Sequence, residues 1–134
     1  MKINNHMLSL IAATLSVTAM AQINQTDTRL MDAPAISNTH IAFIYAEDLW
    51  VANRDGSQPR RLTIDEGVES NPIFSPDGKT IAFSAEYDGN MDIFSMPVTG
   101  GVPTRLTFHP YPDIARDFTP DGKSVVFASQ RTLF

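Results

Sequence analysis

Short stretches in which apolar and polar residues alternate dominate the chain from about residue 33 onward. Examples are the segments TIAFSAE, MDIFSMPV and TRLTF, which clusters of Pro, Asp, Gly and Asn separate from one another. Alternation with a period of two is typical of β-strands, and no window here keeps the 3.6-residue period of a helix. The pattern therefore predicts an all-β protein built from short strands.

The chain repeats itself after 44 residues. The turn sequence SPDGK at 75 recurs as TPDGK at 119, and the strand sequence IAF at 81 recurs as VVF at 125. DLW at 48 likewise recurs as DIF at 92, and RLT occurs at both 61 and 105. A further IAF at 41 lies only 40 residues before the one at 81, because the first unit has a shorter turn before it and a shorter loop after it. Indels of this kind belong in loops between strands.

The length of the repeat indicates the fold. Four strands of about five or six residues plus their turns fill roughly 40 to 45 positions, the size of one propeller blade. The sequence therefore predicts a partial β-propeller of about two and a half four-stranded antiparallel blades. We place these blades at about residues 33–66, 67–110 and 111–134.

The Ser-Pro-Asp-Gly sequence is predicted to form the tight turn between the first two strands of a blade. Pro76 presets the φ of a turn, Asp77 hydrogen-bonds to nearby backbone amides, and Gly78 tolerates positive φ. We expect both Gly78 and Gly122 in a left-handed conformation. In the first unit Asn38 replaces Pro-Asp-Gly, and we expect a different, less sharply defined turn there.

The N-terminus resembles a secretory signal. Lys2 precedes the apolar run MLSLIAATLSVTAM, which ends in the small-x-small sequence Ala19-Met20-Ala21. We expect a signal helix over residues 1–21, cleavage after Ala21, and a lead-in over residues 22–32. The alternatives are an uncleaved N-terminal anchor and a frayed helix. A cleaved signal predicts a periplasmic or secreted protein with no membrane contact afterwards.

Composition excludes several classes of function. The chain has 134 residues, of which 43% are hydrophobic and 19% charged, as in globular proteins. Its net charge of −5 argues against nucleic acid as a partner, since phosphate binding needs a basic face. Because cysteine is absent, disulfides, thiolate chemistry and Cys-ligated zinc are excluded.

The sequence predicts no catalytic residue. It contains no Gly-x-Ser-x-Gly elbow, and a serine nucleophile also needs a base held within hydrogen-bond reach. After the signal only His40 and His109 remain. His40 lies at the predicted start of a strand, where a surface or hairpin role is favoured. His109 lies in the proline-rich segment FHPYPD, where we favour a structural loop contact over peptide binding.

The sequence likewise predicts no metal-binding or cofactor-binding residue, although one pattern approaches a calcium loop. Asp88, Asn90 and Asp92 have the spacing of the first ligands of an EF-type loop. The pattern then fails, with Ile93 where glycine is needed and Thr99 where the bidentate glutamate is needed. A polar hairpin between the second and third strands of a blade is the favoured interpretation.

Two further groups of residues have structural interpretations. Trp50 and Phe94 occupy matching strand positions, which favours packing between adjacent blades. Asp113, Arg116 and Asp117 are predicted to form a short charged loop on a blade edge. That loop is either a local ion pair, worth under about 1 kcal/mol, or a contact lining the mouth of the propeller.

The segments EYDGNMDIF and RLTFHPYPDIARDFTPDGK, together with DLWVANRDGSQPRRLT, resemble the N-terminal β-propeller of tricorn-type proteases. The blade repeat resembles the TolB translocation protein less closely. The resemblance covers nearly everything after about residue 30. It implies a longer parent with a six-bladed propeller, a second propeller, a PDZ-like domain and a C-terminal serine-peptidase core. In that family the propellers are not catalytic and gate peptides toward the core, so no residue here inherits a catalytic role.

Two functions of different class follow from these observations. The first is a structural or substrate-gating part of an exported tricorn-like serine peptidase. Its expected partners are peptide or protein substrates, and the remaining blades and catalytic domains of the parent. The second is a TolB-like module that binds protein partners without hydrolase activity. A propeller fused to an α/β-hydrolase or an amidohydrolase is a weaker third option. Because the third unit stops at Phe134, we expect a fragment that forms an open arc and tends to form homo-oligomers or aggregate.

Overall fold

The computed structural model describes residues 31–131 and shows three antiparallel sheets that follow one another along the chain. Each sheet keeps its strands in sequence order. The ten strands are β1 (Met31–Ile36), β2 (His40–Tyr45), β3 (Asp48–Asn53), β4 (Arg60–Arg61), β5 (Glu69–Phe74), β6 (Thr80–Glu86), β7 (Met91–Pro97), β8 (Thr104–Arg105), β9 (Asp113–Phe118) and β10 (Val125–Ser129). Sheets one and two have four strands, and sheet three pairs β9 with β10.

The predicted all-β fold with repeated four-stranded antiparallel blades is confirmed. β1 contacts β5, and β5 contacts β9, so the first strands of the three sheets lie side by side as in a propeller. The described residues contain no helix able to cross a membrane. The predicted signal peptide and most of the predicted lead-in lie outside the described residues.

The core lies between sheet one and sheet two. Sheet one contributes residues from one face of β2 and β3, and sheet two contributes one face of β6 and β7; the buried members are Ala42, Ile44, Leu49, Val51, Ile81, Phe83, Ala85, Phe94, Met96 and Val98. The registers Ile44↔Leu49 and Phe83↔Phe94 place these residues opposite one another in their sheets. The period-two pattern therefore becomes a shared apolar layer.

Phe94 packs between the sheets, as its sequence position predicts. Its ring centroid lies 6.0 Å from that of Phe83 and 4.8 Å from that of Tyr87, and Phe94 belongs to the core between the sheets. Trp50 has the equivalent position in sheet one, but it is half-buried and contacts Tyr45 of its own sheet at 6.0 Å. Consecutive strand residues point to opposite faces, so Trp50 lies on the face of β3 opposite its core neighbours Leu49 and Val51.

The two Pro-Asp-Gly turns have the predicted conformation. Gly78 and Gly122 both have φ of 69°. The Gly78 amide donates to the carbonyl of Ser75 at 2.8 Å, and Ser75 pairs with Thr80 across the turn through its own amide at 2.9 Å. Asp77 Oδ1 accepts from Ser75 Oγ at 2.7 Å and from the Lys79 amide at 3.0 Å.

The turn of the first unit is different, as expected, but the expectation that it would be less sharply defined is wrong. Only Asn38 and Thr39 separate the paired residues, since the Ser37 amide donates to the carbonyl of His40 at 2.8 Å. The His40 amide donates in return to Ser37 Oγ at 2.9 Å. The serine hydroxyl therefore closes a tight turn without proline or glycine.

Successive turns pack on one another. A Cβ atom added to Gly78 would lie 3.5 Å from the Cβ of Ser37, and one added to Gly122 would lie 3.4 Å from Cδ of Pro76. Each turn glycine thus faces the turn of the preceding sheet at van der Waals distance. The three turns form a continuous row along one end of the sheets.

Candidate functional site

A buried polar cluster ties the start of β7 to the segment after β8. The Asp92 side chain is 1% exposed, and its Oδ2 accepts from Arg105 Nη2 at 2.5 Å. Its Oδ1 accepts from Thr107 Oγ1 at 3.0 Å. The same threonine oxygen accepts the amide of Ile93 at 3.0 Å. This cluster consists of the residues that the repeats DIF and RLT supply.

Sheet one contains the same arrangement in a more exposed form. Arg61 Nη2 donates to Asp48 Oδ1 at 2.6 Å, with the side chains 42% and 15% exposed. The Leu49 amide donates to Thr63 Oγ1 at 2.9 Å. The sequence repeats of the third and fourth strands therefore specify a structural tie within each of these two sheets.

The residues with calcium-loop spacing serve the same tie. Asp88 and Asp92 both pair with Arg105, at 3.2 and 2.5 Å. Asn90 Nδ2 donates to the carbonyl of His109 at 2.8 Å, which fastens the β6–β7 hairpin to the segment that leads to β9. Within residues 31–131, no three His, Cys, Asp or Glu side chains are grouped so that they could hold a metal ion.

Both histidines of the described chain make local contacts. His40 is the first residue of β2, and its Nδ1 lies 2.8 Å from Thr39 Oγ1. His109 Nδ1 accepts the amide of Tyr111 at 3.2 Å, and the two rings lie 5.4 Å apart. These contacts agree with the hairpin role predicted for His40 and the structural loop role predicted for His109.

The prediction of a charged loop at Asp113, Arg116 and Asp117 is wrong. These residues belong to strand β9, which continues past Arg116 because the chain accommodates this residue in a bulge opposite β10. Asp113 is buried, and its carboxylate accepts a hydrogen bond from Arg131. Burial raises the pKa of Asp113, but hydrogen bonds from Ser129 and Arg131 outweigh burial and hold that pKa below its usual value.

Sequence reasoning missed a second buried carboxylate, Glu69, which is 1% exposed at the first position of β5. Its Oε1 accepts from the hydroxyl of Tyr87 at 2.6 Å. Burial raises the pKa of Glu69 to about 7, although the bond from Tyr87 opposes the shift. The 44-residue repeat was the available signal for this contact, because it relates Glu69 to Asp113 and Tyr87 to Arg131.

The first strands of the three sheets present one continuous surface, which we call the first-strand surface. Its exposed residues are Met31, Asp32, Pro34 and Ile36 on β1 and Arg116 and Asp117 on β9, and β5, which has no exposed residue, lies between these strands. The Asp117 carboxylate accepts the amide of Phe118 at 2.8 Å, so its position on the strand is fixed. This surface carries both signs of charge beside an apolar residue and can contact an extended polypeptide.

Two clefts lie between the successive turns at one end of this surface. The first, of about 320 Å³, is lined by Ile36, Ser37, Asn38, Arg54, Phe74, Ser75 and Pro76. The second, of about 200 Å³, lies between the two Pro-Asp-Gly turns. Both clefts are small and shallow, which suits contact with side chains of a larger molecule better than enclosure of a small ligand.

Comparisons with known proteins agree with this architecture. Residues 28–134 match the family described as the tricorn protease N-terminal beta propeller domain. Tricorn protease homolog 1 of Streptomyces coelicolor is 34% identical over 61 residues, and a TolB homolog of Chlorobium luteolum is 32% identical over 63 residues. The aligned parts cover 46% and 47% of this chain but only 6% and 14% of those relatives. The crystal structure of the tricorn protease superposes with a TM-score of 0.62 and 25% identity, over 69% of this chain and 10% of that chain.

Proposed function

Since the match over residues 28–134 shows that the chain belongs to the tricorn protease N-terminal β-propeller family, we propose that it is the non-catalytic propeller portion of an exported tricorn-like serine peptidase. In this role it supports the parent protein and gates the access of peptides to a catalytic core. The substrates and the core belong to the proposed parent, of which this chain represents a small part.

The side-by-side arrangement of β1, β5 and β9 carries the proposal. Each of these strands is paired within its own sheet, so the first-strand surface is built on regular structure and is shared by successive blades. A wall that carries both signs of charge can line a path for unfolded polypeptide without binding one sequence tightly. This combination fits a gate better than a catalytic site.

The hydroxyl groups of Ser75 and Ser84 support a non-catalytic role. Ser75 Oγ donates to Asp77, and the buried Ser84 Oγ accepts the amide of Ala115 at 2.8 Å. These hydroxyls hold turns and join sheet two to sheet three. A nucleophilic serine instead needs a neighbouring base and a prepared oxyanion site.

Export is the second part of the proposal and rests on the N-terminal signal pattern of residues 1–21. A periplasmic or secreted location would give the propeller access to peptides outside the cytoplasm.

Peptide binding to charge variants tests the gating role. We expect labelled, unstructured basic peptides to bind the full chain weakly and to lose at least about threefold in affinity with Asp117→Lys, since that change reverses a charge on the first-strand surface. Asp55→Lys is the matched control, because Asp55 is equally exposed but lies in the β3–β4 loop and caps the Ser57 amide at 2.9 Å. Equal effects of the two variants in fluorescence anisotropy would contradict a role for the first-strand surface.

Activity and gene context test the peptidase part. The purified chain should show no peptidase turnover, and a serine-directed inhibitor that labels a serine of this chain would overturn that expectation. The surrounding reading frame should encode a PDZ-like domain and a serine-peptidase core. A frame that ends after six blades would instead favour a TolB-like binding module.

A further inference from the structure

Two consecutive sheets begin with a buried carboxylate at the same repeat position. Glu69 is the first residue of β5 and Asp113 the first residue of β9, and they are 1% and 0% exposed. Burial of an ionised carboxylate is strongly unfavourable unless a cation or several hydrogen bonds compensate it. The partners of the two groups therefore decide how each junction behaves.

The two carboxylates have different partners. Asp113 accepts a hydrogen bond from the guanidinium of Arg131. At the repeat position of Arg131 stands Tyr87, whose neutral phenol donates to Glu69 Oε1 at 2.6 Å. The second oxygen of each carboxylate, Glu69 Oε2 and Asp113 Oδ1, is buried and has no hydrogen-bond partner among the described residues, so the two sites differ in whether the bonded partner carries a positive charge. Glu69 thus occupies a site that in the next sheet holds an ion pair.

The other charged groups around Glu69 do not supply the missing cation. The carboxylates of Asp48 and Asp65 lie near enough to disfavour its negative charge. Arg61, the cation on the neighbouring strand, is bound to Asp48 at 2.6 Å and to the carbonyl of Thr63 at 2.6 Å. The Glu69 amide bonds to the carbonyl of Glu47, the residue before Asp48. Ionised Glu69 therefore faces the like charges of Asp48 and Asp65.

Glu69 also lies where sheet two is attached to sheet one. Its amide donates to the carbonyl of Glu47, in the β2–β3 turn, at 3.0 Å. One residue earlier, the carbonyl of Val68 accepts the amide of Glu86 at 3.1 Å. The bond to Glu47 joins sheet two to sheet one, and the bond between Val68 and Glu86 lies within sheet two. The charge of Glu69 therefore changes next to one inter-sheet hydrogen bond.

We propose that Glu69, which Tyr87 holds within sheet two, is a proton-sensitive latch between sheet two and sheet one. The junction is closed when Glu69 is protonated, and it loosens when the ionised carboxylate faces Asp48 on sheet one. The Asp113–Arg131 pair makes the next junction insensitive in the same range. An exported protein meets the pH of its surroundings, so such a latch would couple the rigidity of the blades to that pH.

The direction of the pH dependence follows from the raised pKa. Burial raises the pKa of Glu69 from 4.5 to about 7, so the folded junction holds the proton more tightly than an opened junction does. The stabilisation is complete below about pH 4.5 and is lost as pH rises through 7. Between pH 6 and pH 8 the opening equilibrium of the junction should increase about tenfold.

Carboxyl NMR and hydrogen exchange on the full chain test the latch. With ¹³C-labelled Glu and Asp carboxyl groups, Glu69 should titrate near neutral pH and Asp113 well below it. After correction for the chemical exchange rate, the amide of Glu69 should lose about tenfold in protection between pH 6 and pH 8. The amide of Ala115, in the next junction, is the internal control.

Two variants separate the latch from general pH effects. Glu69→Gln should abolish the pH-dependent loss of protection, and Tyr87→Arg, which copies the residue at position 131, should lower the pKa of Glu69 and also abolish the loss. If either variant fails to fold, the carboxyl titration of the unaltered chain still decides the question. A Glu69 that titrates with the exposed glutamates, or an equal loss of protection at both junctions, would show the proposal to be wrong.

Discussion

Arg105→Met should destabilise the chain much more than Arg61→Met, although the two arginines hold equivalent repeat positions. Arg105 binds Asp92, whose side chain is 1% exposed, whereas Arg61 binds Asp48, whose side chain is 15% exposed. Methionine keeps the length and apolar character of the arginine stem and removes the guanidinium. Arg105 also pairs with Asp88, whose side chain is 74% exposed and therefore adds little, so the main difference between the two variants is how deeply the bound carboxylate is buried.

The structure sets the expected size of each effect. Breaking a buried ion pair from one side typically costs about 3–5 kcal/mol, because a buried charge is left uncompensated. Asp92 keeps its hydrogen bond from Thr107 at 3.0 Å, and Arg105 is itself 28% exposed, so we expect a loss of about 2–3 kcal/mol for Arg105→Met. The solvated Arg61 pair should contribute under about 1 kcal/mol.

Urea and thermal denaturation of the full chain and its variants measure the difference. At about 4–8 °C per kcal/mol for a domain of this size, Arg105→Met should lower the midpoint by roughly 10–20 °C, and Arg61→Met by less than about 8 °C. The double variant Asp92→Asn with Arg105→Met should recover part of the loss, since no buried charge then remains at position 92. Equal losses for the two arginine variants, or no recovery in the double variant, would refute the reasoning.

Three further predictions concern the turns, the core and the N-terminus. Gly78→Val should cost about 1–2 kcal/mol in the free energy of unfolding, because a β-branched residue is strained at a φ of 69°; an unchanged thermal midpoint would contradict this. Phe83→Ala should cost about 3–5 kcal/mol, because Phe83 is 0% exposed in the core between the sheets, and a loss below 1 kcal/mol would show that the two sheets do not pack as described. Exported protein should begin at Gln22 by intact mass, and retention of Met1 would exclude cleavage after Ala21.

The repeats made most of the fold predictable. Alternating apolar residues, a 44-residue period and paired turns determine how many strands form and how they pair, because these features act over a few residues. The position of Phe94 in the core follows from the same logic. Trp50 has an equivalent strand position, yet it lies on the face of its sheet opposite the core neighbours Leu49 and Val51. Whether that face is covered depends on which sheets lie next to it.

The polar contacts were harder to predict because they join residues far apart in sequence. Asp113 looked like part of a charged loop, since nothing near it in sequence indicates that Arg131, 18 residues later, binds it inside the fold. Glu69 and Tyr87 are also 18 residues apart. A single acidic residue at the start of a weakly apolar strand has the sequence pattern of a solvent-exposed residue. Only its partner in the fold shows that it is buried. Comparing equivalent positions across the repeats would have identified both pairs.

The row of stacked turns also constrains how such a chain can grow by duplication. Gly122 of the third turn faces Pro76 of the second, and Gly78 of the second turn faces Ser37 of the first. A copied segment that contains one whole turn therefore carries both halves of the contact and fits beside its own duplicate at either end. A copy that begins or ends inside the turn would separate the two halves of this contact. Whole blades are thus the units in which this architecture can be lengthened or shortened while the contact between turns is kept.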